Sequence, residues 1–259
     1  MNECEPIINN TEPLRQGDII RFEKKGEDEQ FGIIVTGDCD IAHNKCKGII
    51  SYCNITTARW YILADFLKEH IYKELDRIEN IIKKNVEKEL DITFQSSTFD
   101  NLISRENLDL LGLTEDTIHI INQYKLYLNK DLYSLEDYKH CISIIEKKDI
   151  QKKMETMNNK IQNHLNSLPG DKFLITELPN QDTNYGYIVY LRFINTLKIE
   201  EILQCNSHSQ VYRIGRLNAP FLYHLTRKLA AVFSDIGLPE TYENNRLVVS
   251  QLVLEGINK

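Results

Sequence analysis

The chain has 259 residues, of which 42% are hydrophobic and 27% charged, a balance typical of a soluble globular protein. No run approaches the roughly 18 apolar residues that a membrane span needs, so composition excludes a transmembrane protein and no membrane contact is expected. The formal net charge is −7, so contact with nucleic acid would need a local basic patch. The first residues show neither a signal nor a transit pattern, and we expect a cytoplasmic protein.

Residues 14–57 carry the pattern of short strands. Two apolar, β-branched runs, Asp18–Phe22 and Phe31–Thr36, are separated by a charged loop that contains glycine, which predicts a hairpin. A third run, Lys47–Ile55, follows the turn-forming residues 43–45. No helical period is present, so we expect this segment to be all β.

Residues 61–168 change to a helical pattern. Apolar residues recur at steps of three and four over Leu63–Val86, and this spacing predicts a long amphipathic helix to about Leu90. Two shorter helices are expected to follow, over Thr98–Leu111 and Thr114–Leu128, the second with acidic residues in its first turn.

A second long helix is predicted after Ser134, which with Asp137 forms a plausible N-terminal cap, and Pro169–Gly170 should end it. The apolar stripes of the two long helices look too long for a small barrel to cover, so we expect this helical hairpin or bundle to dock a partner. The stripe of the second helix consists of Tyr138, Cys141, Ile145, Ile150, Met154, Met157, Ile161 and Leu165.

Residues 171–259 return to a β-rich pattern before a final helix. Strands are predicted at Lys172–Leu178, Tyr185–Phe193 and Gln210–Ile214. Asn218 should cap a helix that stops at Gly237. The last apolar run, Arg246–Leu254, fits a strand or a short helix equally well.

The first and third segments resemble the MazF/PemK-type toxin barrel. The resemblance lies in GDIIRF, in GIIVTGD followed by HNK, in GIISYCNITT, and in YRIGRLNAPFLYHLTRKLAAVFSDIGL. It implies an α+β fold: an SH3-like β-barrel with a C-terminal helix and a large inserted helical hairpin or bundle. Residues 1–60 would then form the first half of the barrel, 61–168 the inserted subdomain, and 169–259 the second half with the closing helix. The resembled family commonly forms dimers, so a homodimer is possible.

The chain departs from the family where its ribonucleases carry an arginine–proline pair before the second strand. Residues Glu29–Gly32 stand there instead, while Thr56 or Thr57 can fill the family's serine or threonine position at the end of the third strand. Ribonuclease activity therefore does not carry over. The segments VTGDCD and RIGRL also resemble uncharacterised bacterial proteins of defence and conflict loci, which implies a biological context but no chemistry.

Asp38, Cys39 and Asp40 form the first candidate site, where a predicted strand runs into a loop. Two carboxylates beside a thiol could bind a divalent cation or act as acid and base, and the thiol could act as a nucleophile. The alternative is structural: the aspartates form turn hydrogen bonds and Cys39 fills a small apolar niche.

A zinc site is the second candidate, from the series Cys39, His43, Cys46 and Cys53. The residue types suit zinc, but the spacing lacks a C-x2-C knuckle and Cys53 lies in an alternating strand. We expect no metal. No dinucleotide fingerprint or phosphate-binding glycine loop is present, so no cofactor is expected either.

A basic group near the C-terminus is the third candidate, and it could contact RNA phosphates. Tyr212 and Tyr223 are available for base stacking, and His208 or His224 could assist proton transfer. Alternatively, the basic residue before the last helix pairs with a carboxylate of the sheet. The group consists of Arg213, Arg216, Arg227 and Lys228.

The sequence favours a component of a bacterial defence or toxin-type system that acts in recognition or assembly with a protein partner from the same operon. The alternative is an endoribonuclease, in which Asp38 or Asp40 is a base or metal ligand and Thr56 or Thr57 positions phosphate. Arg213 or Arg216 would then stabilise developing charge. A hydrolase that uses Cys39 is a third hypothesis.

Overall fold

A computed structural model describes residues 2–7, 12–23, 30–93, 96–105, 107–128, 130, 133–146, 148–181, 186–203, 211–234, 245 and 248–251. The chain forms two compact units. A sheet unit comprises Met1–Thr56 with Pro169–Lys259, and a helical unit comprises Thr57–Leu168. The helical unit is therefore inserted between two sequence segments of the sheet unit.

Among the described residues, the sheet unit contains a curled antiparallel sheet of seven strands, and together with its helices it gives a mixed α+β fold, as the sequence predicted. The strands are β1 (Cys4–Pro6), β2 (Asp18–Phe22), β3 (Gln30–Ile34), β4 (Ile49–Thr57), β5 (Lys172–Ile175), β6 (Tyr187–Lys198) and β7 (Val211–Leu217). Their order in the sheet is β1-β7-β2-β3-β4-β6-β5. The helices are α1 (Asp38–Ala42), α8 (Ile199–Leu203) and α9 (Ala219–Ser234).

Both faces of the central strands are apolar. Alternate residues of β2, such as Ile19 and Ile20, enter two different clusters of buried side chains. The larger cluster packs one face of the sheet against Leu225 and Val232 of α9. The smaller cluster covers the other face with Leu14 and with Ile202 of α8. The predicted strands were therefore correct in kind, and their burial on both sides explains why their apolar runs are nearly continuous.

Several element ends differ from the predictions. Strand β6 extends to Lys198, five residues beyond the predicted Phe193. Strand β1 and helices α1 and α8 were not predicted, because segments of three to five residues are too short to show a period. Residues 248–251 are helical, whereas Tyr185, Gln210 and Gly237 lie outside the described residues.

The helical unit begins as strand β4 ends. Its helices are α2 (Ala58–Tyr61), a π-helical turn (Ile62–Phe66), α3 (Leu67–Leu90), α4 (Ser96–Ile103), a 3-10 turn (Leu108–Leu111), α5 (Glu115–Tyr127), α6 (Leu135–Ile145) and α7 (Ile150–Asn166). Helix α3 ends at the predicted residue, since Asp91 adopts a left-handed conformation with φ 51°. The predicted caps of α5 and α6 are confirmed: Thr114 accepts from the Thr117 N–H, and Ser134 and Asp137 form a reciprocal capping box.

The single long helix predicted after Ser134 is wrong, because the chain breaks into α6 and α7. Glu146 is extended and Asp149 has φ 64°, so neither continues the helix. The carboxylate of Glu146 holds this corner through Arg77 at 3.1 Å and Lys153 at 2.6 Å. The helix predicted over Thr98–Leu111 is likewise divided into α4 and the 3-10 turn.

The apolar stripe of α3 is covered within the helical unit itself. Six of its residues are buried, and they belong to one cluster with side chains of α4, α5 and α6. The sequence argument that this stripe needs an outside partner is therefore wrong. The buried stripe consists of Leu67, Ile71, Leu75, Ile78, Ile82 and Val86.

The first and last helices of the helical unit are joined by aromatic contacts. The hydroxyl of Tyr61 lies 2.6 Å from Nε2 of His164, and the two rings stack at 5.6 Å. The ring of Phe66 contacts His164 and His70, both at 4.4 Å between centroids. Among the described residues, no helix is both long enough and apolar enough to span a membrane.

Candidate functional site

Asp18, at the start of β2, is fully buried and binds two arginines of β7. Its Oδ2 accepts from Arg213 Nη1 at 3.1 Å, and its Oδ1 accepts from Arg216 Nε at 2.6 Å. The side chain of Arg213 is 1% exposed and that of Arg216 is 14% exposed. A buried carboxylate tolerates desolvation only when it is paired and hydrogen-bonded, and these two guanidinium groups satisfy that requirement.

The same arginines also hold the chain segment that precedes β2. Arg213 donates to the carbonyl oxygens of Glu12, at 2.7 Å, and Pro13, at 3.2 Å. Arg216 donates to the Pro13 carbonyl at 3.3 Å and lies 3.5 Å from the Glu12 carboxylate. Burial lowers the pKa of Arg216, but the hydrogen bond and charge of Asp18 outweigh this effect and raise it overall. Asp18, Arg213 and Arg216 are here called the Asp18 cluster. Its contacts hold β7 and the residues that precede β2 against β2.

The Asp18 cluster therefore matches the structural alternative for the arginines. Arg213 has almost no exposed surface with which to reach a phosphate, and most of its donors are committed to Asp18, Glu12 and Pro13. Arg216 is slightly more exposed but has the same partners. Their contribution to RNA binding stays a prediction, and the geometry favours a role in the fold.

Asp38 lies beside the same turn but is exposed. Its Oδ1 accepts from the backbone N–H of Gln16 at 2.7 Å, while the Gln16 side chain donates to the Val35 carbonyl at 3.0 Å. Asp38 and Arg216 therefore bind the same turn. Asp38 accepts from its Gln16 N–H, and Arg216 donates to its Asp18 carboxylate. The sequence placed Asp38 in a loop, whereas the structure places it at the start of the short helix α1, directly after Gly37.

Cys39 and Asp40 are exposed residues of α1, and Lys45 lies close to both. Lys45 Nζ is 3.4 Å from the Cys39 sulfur and 3.8 Å from Asp40 Oδ1. Exposed ion pairs of this kind contribute about 1 kcal/mol or less. The predicted niche for Cys39 is wrong, because its side chain is exposed, so it remains available for chemistry.

Thr56 and Thr57 do not join this group. The β3–β4 ladder pairs Ile34 with Tyr52 and Phe31 with Ile55. Asp38 follows the first end of this ladder and Thr56 follows the other, which separates them by at least about 10 Å. The Thr57 hydroxyl accepts from the Trp60 N–H at 3.1 Å and caps α2. The geometry thus does not gather the carboxylates, threonines and arginines into one cleft.

The basic residues of α9 have two different environments. Lys228 Nζ donates to the Lys172 carbonyl at 3.0 Å and so fastens α9 to β5, whereas Arg227 is exposed. Tyr223 is 72% exposed, and the ring of His224 lies 5.9 Å from that of Phe173. A phosphate contact by Arg227 stays a prediction. His208 lies outside the described residues.

The four residues of the zinc hypothesis are not gathered. Cys53 is fully buried in β4, where burial raises its pKa to about 12, while Cys39 is exposed. Within the described residues, no group of three or more histidine, cysteine, aspartate or glutamate side chains is arranged to hold a metal ion.

Tyr212 is the other residue that was predicted to stack on bases. Its ring lies under the Arg21 guanidinium, 5.9 Å from the ring centroid to the guanidinium carbon.

Sequence reasoning missed two positions that shape this region. Asp18 was treated only as a strand end, although a carboxylate next to Ile19 and Ile20 in a buried strand requires a cationic partner. Gly215, between the two arginines, allows Pro179 to pack against the backbone, because a Cβ there would lie 2.5 Å from Pro179 Cγ. The sequence feature that could have indicated this cluster is the pair of arginines, Arg213 and Arg216, on either side of Gly215.

Comparison of the chain with protein-family models, with curated protein sequences and with solved structures found no match.

Proposed function

We propose that the protein is a recognition or assembly component of a bacterial defence or toxin-type system, built on a divergent MazF/PemK-like, SH3-like barrel. One observation carries the proposal: the Asp18 cluster uses the arginines that a ribonuclease would need for its substrate. The absence of the family's arginine–proline pair supports the same conclusion. The chain would bind a protein partner.

The endoribonuclease alternative predicts cleavage that depends on Asp38 or Asp40. Wild-type protein, Asp38→Ala and Asp40→Ala should be incubated with fluorophore-quenched single-stranded RNA, with and without a chelator. Asp109→Ala, at an exposed position of the helical unit, is the matched control. We expect no cleavage above buffer in any sample. Wild-type cleavage that Asp38→Ala abolishes and Asp109→Ala retains would overturn the proposal.

Assembly is tested by co-expression with the products of neighbouring genes, followed by light scattering of the purified protein. The proposal predicts a complex of defined mass with at least one of these products. The same measurement gives the oligomeric state of the isolated chain. A chain that forms no complex with any neighbouring product would contradict the proposed role.

A further inference from the structure

The two edge strands of the curled sheet, β1 and β5, are joined by a side chain instead of a strand ladder. The carboxylate of Glu3, just before β1, accepts from the backbone N–H of Thr176, just after β5, and from its hydroxyl at 2.8 Å. A cavity of about 640 Å³ lies beside this junction, here called the seam cavity. All of its lining residues belong to the sheet unit.

One wall of the seam cavity is formed by β1, which among the described strands lies at the edge of the sheet next to β7. The residues on either side of β1 bond towards β7: the backbone carbonyl of Glu3 accepts from the Asn218 N–H at 2.8 Å, and the Ile7 N–H donates to the Ile214 carbonyl at 3.4 Å. In this register Glu5, which pairs with Arg216, also faces β7. The alternation of an antiparallel ladder turns the backbone groups of Cys4 and Pro6 away from β7. Both residues line the cavity. By the same alternation, the backbone N–H and C=O of Cys4 take no part in the β1–β7 ladder.

The rest of the lining is the segment Thr176–Gln181, and Phe221 of α9 adds an aromatic surface. In this segment Thr176 and Glu177 precede the apolar pair Leu178 and Pro179, and the amides Asn180 and Gln181 follow. Glu3 and Glu177 contribute carboxylates, while the cavity lining formed by the described residues contains no lysine, arginine or histidine. Among the described residues, the cavity is therefore an acidic slot beside the edge of β1 that faces away from β7.

We propose that the seam cavity binds an extended peptide segment of a partner protein, which pairs with β1 and places a lysine or arginine side chain between Glu3 and Glu177. Strand addition of this kind satisfies free edge groups through the peptide backbone, and side-chain pockets then provide selectivity. Three extended residues span about 10 Å, and Pro6, which lacks an N–H, limits the pairing to a short register. This inference rests on the proposed recognition function and specifies its ligand.

The test uses the full chain and fluorescence polarisation with three labelled pentapeptide pools. All pools have valine, threonine and serine mixtures at the four outer positions. The first has lysine at the centre, the second has glutamate, and the third has lysine with N-methylated outer amides. We expect the lysine pool to bind, the glutamate pool to bind about tenfold more weakly, and N-methylation to abolish binding because it removes backbone donors.

Glu177→Lys should weaken binding of the lysine pool by about tenfold, and Glu177→Gln by about threefold. Glu155→Lys, a charge reversal at an exposed position of α7, is the matched control and should leave binding unchanged. No binding by wild type, equal binding of all pools, or equal loss in Glu155→Lys would overturn the inference. Competition by spermidine without sensitivity to N-methylation would indicate a simple cation pocket and would also overturn it.

These failures are distinguishable from failure of the proposed function. If the peptide pools fail while a neighbouring gene product still binds and RNA stays intact, recognition occurs at another surface. If RNA is cleaved in the Asp38-dependent manner, the proposed function fails whatever the peptides do.

Discussion

Asp18 and Asp38 are two carboxylates that both bind the turn at residues 15–18, and the structure uses them differently. Asp18 is fully buried and binds two guanidinium groups, whereas Asp38 is exposed and accepts one backbone N–H. In the sequence both follow a glycine, yet only Asp38 was considered a candidate for chemistry. The comparison shows that burial decides whether such a charge serves the fold or stays available for a ligand.

The physical reason is the cost of desolvation. A buried ion must be compensated by close partners, and removal of one partner leaves the other charge uncompensated in a medium of low polarity. An exposed charge is solvated and screened, so its loss changes stability little. The two aspartates should therefore respond very differently to the same substitution.

The largest effect is expected for Asp18→Ala. This change leaves Arg213 buried without its carboxylate, and the free energy of unfolding should fall by about 3–5 kcal/mol. Urea unfolding followed by circular dichroism measures this loss. A change below about 1 kcal/mol would mean that the cluster is solvated and does not hold the fold.

The second largest effect is expected for Gly215→Ala, because its Cβ would meet Pro179 Cγ at 2.5 Å and the Glu5 carbonyl oxygen at 2.9 Å. To relieve this overlap, β7 and its arginines must shift, and the free energy of unfolding should fall by about 1–3 kcal/mol. Gly37→Ala, next to Asp38, is the control, because no atom lies within 4 Å of its Cβ and its φ of −65° suits any residue. Equal effects of the two changes would contradict the contrast between a packed cluster and an open turn.

Much of the fold could be predicted because its pattern is local. The three- and four-residue steps from Leu67 to Val86 describe α3, and the cap residues Thr114 and Ser134 mark where α5 and α6 begin. The break between α6 and α7 also had a local sign. Ile145 and Ile150 are five residues apart, a step that an α-helical stripe does not contain.

The candidate site could be predicted far less well, because its contacts are not local. Asp18 and Arg213 are separated by 195 residues, and no periodicity relates them. Likewise, Thr56 and Asp38 are close in sequence, but strand register places them at opposite ends of a ladder. Charge and residue type suggested chemistry at Arg213 and at Asp38 with Thr56. Burial and strand register, which the sequence does not show, determine which of these groups meet.

Glu89 gives an intermediate case in the helical unit. Its carboxylate accepts from the Thr114 N–H and from the hydroxyls of Thr114 and Thr117 at 2.7–2.9 Å. Burial acts to raise its pKa, but these hydrogen bonds outweigh burial and lower it. A lowered folded-state pKa gives stability that is present above the unfolded value, near 4.5, and is lost as pH falls through the folded value.

We therefore expect Glu89→Gln to lose about 1 kcal/mol at pH 7 and to show a weaker decline in stability than wild type as pH falls below about 4.5. Melting of both proteins between pH 7 and pH 3 checks this difference. Glu155→Gln, at an exposed position of α7, is the comparison variant. Parallel pH profiles for wild type and Glu89→Gln would show that the threonine contacts do not favour the ionised carboxylate.

The smallest effects are expected in the exposed turn. Asp38→Ala should cost about 0.5–1 kcal/mol, since it removes one hydrogen bond from Gln16, and Asp40→Ala about 0.5 kcal/mol or less. Chemical unfolding at low and high salt measures both, and high salt should reduce the Asp40 effect further. Losses as large as that of Asp18→Ala would remove the distinction between the two aspartates.

A double-mutant cycle of Asp18→Ala and Arg213→Met tests the central claim most directly, namely that this pair serves the fold. Urea unfolding of wild type, both single variants and the double variant gives the coupling free energy. We predict a coupling of at least about 2 kcal/mol, with the double variant more stable than the sum of the two single losses implies. Additive losses, with a coupling near zero, would contradict the account and would return Arg213 to the residues available for a substrate.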